Sequence, residues 1–222
     1  MRLWLLFFAL VVAALATGAS APAATTECAG IPTCIDVPGP WVAVPAHGEA
    51  RFLLDCPQRR GVVAGVDALA SSRDIHVTFE GLLGGPVAPG RTTTRYAFFH
   101  AVSGHHRAGL FEPRIGCIPS SSGNPQTTAY RIGPVGPAVD LAAATMPVKP
   151  GTVRRVTLGC ANGRRLVDSW DATAFATPVP PVFAAAVEVE RTVHKGRVAV
   201  KITASEALPR SAIVQIGVRC TE

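Results

Sequence analysis

Most of the signatures that announce an enzyme are missing from this chain. It has no Gly-x-Ser-x-Gly elbow to raise a serine nucleophile. Ser103 stands near His105 in sequence, but adjacency supplies no base within reach of a hydroxyl. Nothing suggests the paired carboxylates of sugar hydrolysis. The six cysteines lack the C-x2–4-C knuckles of zinc sites; they stand six and then about sixty residues apart. No run of Lys and Arg interleaves with aromatics, which removes the usual signal for nucleic acid. Helical signals are nearly absent as well. The 19 prolines and 21 glycines are scattered throughout, and both residues interrupt helices. No cofactor is implied.

What the chain does have is a sentence written twice. Residues 51–68 read RFLLDCPQRRGVVAGVDA and residues 155–172 read RVTLGCANGRRLVDSWDA. At a constant offset of 104, Arg51 meets Arg155, Leu54 meets Leu158, Cys56 meets Cys160 and Arg60 meets Arg164. Val63 then meets Val167, and Asp67 meets Asp171. A second cysteine follows each first by about 60 residues: Cys117 after Cys56, and Cys220 after Cys160. An internal repeat constrains architecture before any motif does. This one implies two copies of a module of roughly 100 residues, with Leu54, Leu158, Val63 and Val167 expected in their cores.

The N-terminus gives the compartment. Met1-Arg2 is followed by the apolar run Leu3 to Ala16 and then by small residues. That order reads as a secretory signal peptide over residues 1–23, with an uncleaved N-terminal anchor as the alternative. The apolar run is short for a bilayer span, which needs about 20 residues. No stable span is expected after cleavage. Export also explains the cysteines, since an even count in an exported chain reads as disulfides. The repeat selects Cys56–Cys117 and Cys160–Cys220, leaving Cys28–Cys34 as a local loop. Closing a loop of about 60 residues stabilises by about 4 kcal/mol in the chain-entropy model. The whole chain has 21 basic and 15 acidic residues; without Arg2 the balance is 20 to 15, or +5. This mild charge permits attraction to anionic polymers.

Alternation of apolar and polar residues marks strands. Ile75, Val77 and Phe79 alternate with polar neighbours, as do Val198, Val200 and Ile202, and Val214, Ile216 and Val218. Turn signals separate such runs every eight to twelve residues, the spacing of a β-sandwich or barrel. Strands are expected near 41–44, 50–56, 61–68, 74–80, 92–102 and 109–117, and then near 153–160, 164–175, 183–190, 197–204 and 212–220. The fold class is therefore all-β: two tandem, duplicated, immunoglobulin-like β-sandwich modules after a signal peptide. The modules cover 24–122 and 132–222, and the polar segment 123–131 links them. The staple between an early strand and the last one is similar to that of immunoglobulin-like domains. The buried Trp of such domains has a counterpart only in the second copy, where Trp170 stands in place of Val66. The start Cys-Pro-x4-Val-Val-x-Gly (56–65), closed by a distant cysteine, resembles secreted bacterial β modules found singly and in tandem. The resemblance implies an exported β domain and carries no activity.

Two groups of residues hold candidate chemistry. His100, His105 and His106 lie within FFHAVSGHHR, and imidazole is the commonest metal ligand. They would serve a secreted hydrolase or metal-dependent enzyme, although no acidic fourth ligand lies nearby. The arginines after each first cysteine, Arg59, Arg60, Arg164 and Arg165, suit anions through their planar forks. The expectation is a non-enzymatic binding or structural module at or outside the cell envelope. Its partner would be an anionic cell-wall polymer or another extracellular protein.

Overall fold

The computed structural model describes residue 28 and residues 34–57, 61–80, 86–88, 91–92, 96–104, 106–119, 139–161 and 163–221. The expected signal segment 1–23 and linker 123–131 lie outside these residues. The described chain is all-β. In order, its strands are β1 (Ile35–Pro38), β2 (Trp41–Val44), β3 (Glu49–Asp55), β4 (Gly61–Ala70), β5 (Ile75–Glu80), β6 (Pro86–Ala88), β7 (Arg91–Thr92), β8 (Tyr96–Ser103) and β9 (Gly109–Pro119). Then come β10 (Val139–Val148), β11 (Val153–Gly159), β12 (Leu166–Phe175), β13 (Val187–His194), β14 (Arg197–Ala204) and β15 (Ala212–Thr221). A 3-10 turn, Ala184–Ala186, precedes β13. Among the described residues no helix is long and apolar enough to cross a membrane.

These strands form antiparallel sheets. Two sheets have three strands each, in the orders β3-β8-β5 and β11-β14-β13, and β6 pairs with β7. The largest has seven strands and draws on both halves of the chain. In it β4 pairs with one edge of β9, while β1 and β2 follow one another along the other edge. β2 then joins β12 through Val42 opposite Ala174 and Trp41 opposite Phe175, and β12-β15-β10 completes the sheet.

The period-two pattern decides what each face buries. Along β14, Val198, Val200, Ile202 and Ala204 are buried, as their alternation requires. β15 is buried on both sides: Val214, Ile216, Val218 and Cys220 enter one core, while Gln215 and Gly217 turn to the other face. The large sheet thus has a core on each face. Val42, Val44, Phe111, Ala172 and Ala174 pack with Phe52 and Phe99 of the β3-β8-β5 sheet. Trp41, Leu110 and Phe175 pack instead with Val187, Val198, Val200 and Ile202 of the β11-β14-β13 sheet. Each half therefore sends residues into the core beneath the other half's small sheet.

Cys56–Cys117 and Cys160–Cys220, the pairs selected by the repeat, stand at disulfide distance, as does the remaining pair Cys28–Cys34. Three details differ from expectation. β1, β6 and β10 were not foreseen, and the strand expected at 183–190 begins at Val187, after the 3-10 turn. Leu54 and Leu158 are half-buried at the core margins. Val63 is buried, but Val167 is 52% exposed. The cause is a bulge, which leaves one residue out of the ladder. The ladder slips between Val63 and Gly65 in β4 and between Leu166 and Asp168 in β12, one residue out of step with the offset. Val167 is the residue passed over.

Contacts between the halves are specific. Trp170 lies over Gly217, where a Cβ would stand 1.9 Å from the indole. It meets Phe98 edge to face at a centroid distance of 4.6 Å, and the Arg219 guanidinium lies 5.6 Å from the Phe98 centroid. The Leu53 N–H donates to Gln215 Oε1 at 2.7 Å, and Gln215 Nε2 donates to the Leu53 carbonyl at 2.9 Å. Arg51 pairs with Asp168.

Candidate functional site

Two concavities merit comparison. The first, about 460 Å³, opens where β2 and β12 part beyond their two paired residues. Glu49, Arg51, Trp170, Asp171 and Arg191 line it. Its charges are already matched to one another. Arg51 bridges Asp168 and Glu49, the latter at 3.1 Å, and His100 Nε2 lies 2.9 Å from Glu49. Arg191 reaches Asp171 at 3.1 Å and donates to Ser169 Oγ at 3.0 Å and to the Ser169 carbonyl. Burial pushes the Asp171 carboxyl above its ordinary pKa of 3.8, and Arg191 only partly opposes that. A cleft whose ions neutralise one another fastens the two halves and leaves little field for a ligand.

The second concavity, about 630 Å³, has a different lining. Among the described residues its lining includes Arg164, Arg165, Lys195 and Arg197 and no carboxylate. Local structure explains how cations from separate segments meet. β11 pairs with β14 so that Gly159 stands opposite Arg197. The chain leaving β11 therefore runs beside the turn that opens β14. That turn, Lys195-Gly196, has φ of 48° and 74° at its two central residues. Both values are left-handed, which is the requirement of a type I′ hairpin and normally favours Asn-Gly. Holding lysine there costs roughly 1 kcal/mol. The other wall is pinned from behind. Cys160 is bonded to Cys220, the Thr221 N–H donates to the Arg165 carbonyl at 3.0 Å, and the Arg165 N–H donates to Thr221 Oγ1 at 3.2 Å. Four cations are thus held on two braced segments around one groove.

The structure sorts the sequence candidates unevenly. Arg164 and Arg165 sit in the basic groove, while Arg59 and Arg60 lie outside the described residues. His100 projects from β8 toward Glu49, His106 lies exposed in the β8–β9 connection, and His105 is outside the described residues. Among the described residues no three His, Cys, Asp or Glu side chains gather to hold a metal. Asp67 accepts the N–H of Ala68, and Asp171 pairs with Arg191, which is not one of the repeated arginines. Sequence reasoning missed Lys195 and Arg197. The available signal was Lys-Gly between the alternating runs of β13 and β14, which reads as a two-residue hairpin. Compared with known proteins, the chain matches no family model, no curated protein and no solved structure.

Proposed function

We propose that this protein is an exported, non-enzymatic pair of duplicated β-sandwich modules that binds an anionic polymer of the cell envelope. The observation that carries the reading is the basic groove, which gathers four cationic side chains and, among the described residues, no carboxylate. Arginine forks grip phosphate or carboxylate in two-point fashion, and lysine adds a mobile point charge. Lys195 held at a costly φ fits a residue kept for its charge rather than for its turn propensity.

Export is supported by the Arg2-led apolar leader and by three disulfides, which are compatible with an extracellular setting. Duplication is supported by strand order. The first half has β3-β8-β5 beside β4-β9-(β1, β2); the second has β11-β14-β13 beside β12-β15-β10. β3 and β11 are offset by 104 at both ends, Glu49–Asp55 against Val153–Gly159.

The test is binding of the oxidised protein to an immobilised polyphosphate chain, with a neutral glucan as control. Binding should fall with salt, since exposed charges are screened beyond about 8 Å at physiological ionic strength. Replacing Arg164, Arg165, Lys195 and Arg197 with Gln should weaken it by about tenfold or more, equivalent to 1.4 kcal/mol. Equal retention of the variant and the parent would overturn the reading.

A further inference from the structure

The edges of the small sheets are charged. β11 carries Arg154 and Arg155, β13 carries Glu188, Glu190 and Arg191, and β3 carries Glu49 and Arg51. Charge on an edge strand is a common guard against pairing with another chain. β10 is different. It is ten residues long, VDLAAATMPV, and from Leu141 to Val148 it has no charge. It pairs with β15 on one side, and its other edge has no strand neighbour among the described residues. Ala142, Ala143 and Thr145 are exposed. An open, uncharged edge of this length presents a row of N–H and C=O groups ready to be paired.

We infer that this edge is an interface with a second copy of the same chain, β10 against β10, antiparallel across a two-fold axis at Ala143. The parity of the strand supports that register. A proline in an edge strand turns its missing N–H away from the neighbouring strand. Pro147 lies opposite Ile213 of β15, so Leu141, Ala143 and Thr145, of the same parity, direct their N–H and C=O groups to the open edge. Those three positions are symmetric about Ala143. A two-fold there pairs Ala143 with its own counterpart, and Leu141 with Thr145 of the other copy, twice. Pro147 falls just beyond the paired stretch.

The side chains fit this arrangement. Ala142, Ala143 and Ala144 at the centre let two strands approach without clash. Edge-to-edge joining is already the way this sheet grows within one chain, at β2 and β12. A head-to-tail contact of β10 with β4 of another copy fits less well. β4 is bulged between Val63 and Gly65, and the residues 104 on from Trp41 and 104 back from Phe175, which seal the internal join, are Thr145 and Ser71. A self-paired edge is closed, as expected of a dimer; the head-to-tail contact would run on as a filament.

The experiment is sedimentation of the oxidised protein over a dilution series. A reversible dimer is expected. Ala143→Lys sets two lysines against each other on the axis and should weaken dimerisation at least about tenfold. Ala143→Pro removes only an outward N–H, so it should do the same while leaving the β10–β15 ladder intact. Circular dichroism and thermal melting of both variants confirm that they fold. Asp67→Lys on β4 should leave the dimer unchanged. A parent protein that stays monomeric at its highest soluble concentration overturns the inference. So does a dimer that survives both Ala143 variants, or a concentration-dependent filament abolished by Asp67→Lys. Polyanion binding by the monomeric variants is read separately, so loss of the dimer and loss of the groove are distinguishable.

Discussion

Gln215 offers the sharpest test of how the halves are fastened. It is 3% exposed and lies on the face of β15 that looks toward β3. Its amide brackets one residue of the other half, accepting from the Leu53 N–H and donating to the Leu53 carbonyl, with a further bond to Thr145 Oγ1 at 3.1 Å. Gln215→Leu keeps most of the volume and removes all three bonds. Thr145 is exposed and turns to water at little cost. The two Leu53 groups are half-buried and lose their partner. An unsatisfied buried group costs about 1–3 kcal/mol. At the lower end for each group, the sum is about 2 kcal/mol. For a chain of this size that lowers Tm by about 4–8 °C, at 2–4 °C per kcal/mol. Urea unfolding should show a lower midpoint with an unchanged slope. Gln215→Glu refines the test. A carboxylate still accepts from the Leu53 N–H but opposes the Leu53 carbonyl, and burial raises its pKa. The folded state then favours the protonated form, so this variant should regain stability as pH falls through that raised pKa. A Gln215→Leu protein within about 0.5 kcal/mol of the parent, the range of an ordinary surface change, would refute the bracket.

Three further outcomes follow from the same geometry. Gly217→Ala should destabilise by about 3 kcal/mol through overpacking, because the new Cβ meets the Trp170 ring at 1.9 Å; Gly217→Ala paired with Trp170→Ala should recover part of the clash but lose the Phe98 contact, as read in a double-mutant cycle. Asp171 holds its proton more tightly folded than unfolded, so its contribution is fully present below pH 3.8 and fades as pH rises through the raised folded value; Tm measured against pH should show that slope in the parent and lose it in Asp171→Asn. Lys195→Asn should raise stability by about 0.5–1 kcal/mol by relieving the left-handed lysine, while lowering polyanion affinity; a variant no more stable than the parent would show that the turn is unstrained.

Strands with strict alternation were legible in the sequence, and β14 occupies the expected 197–204. β10 was not, because Ala-Ala-Ala at its centre carries no hydrophobic contrast between faces. The register slip at Val167 was also hidden. A bulge is set by how two strands meet, and the ungapped offset of 104 gave no sign of it. Trp170 looked like an irregularity of the second copy. Its reason lies in the other half, in Phe98, which no local pattern connects to it. The basic groove was half legible. Arg164 and Arg165 stood out by repetition, but Lys195 and Arg197 join them only through the β11–β14 ladder.

The join between β2 and β12 also has a mechanical consequence. Among the described residues, Val42–Ala174 and Trp41–Phe175 alone span it along the sheet. Under tension between its ends, parting the halves would also have to break the Gln215–Leu53 bonds, the Arg51–Asp168 pair and the two cores that both halves share. Neither half can be drawn out fully. The bonds Cys56–Cys117 and Cys160–Cys220 remove spans of 61 and 60 residues from the load path. Each such span would otherwise release roughly 200 Å of extended chain. Under load the groove would keep its shape, because the bond that pins it, Cys160–Cys220, is also the one that carries the force.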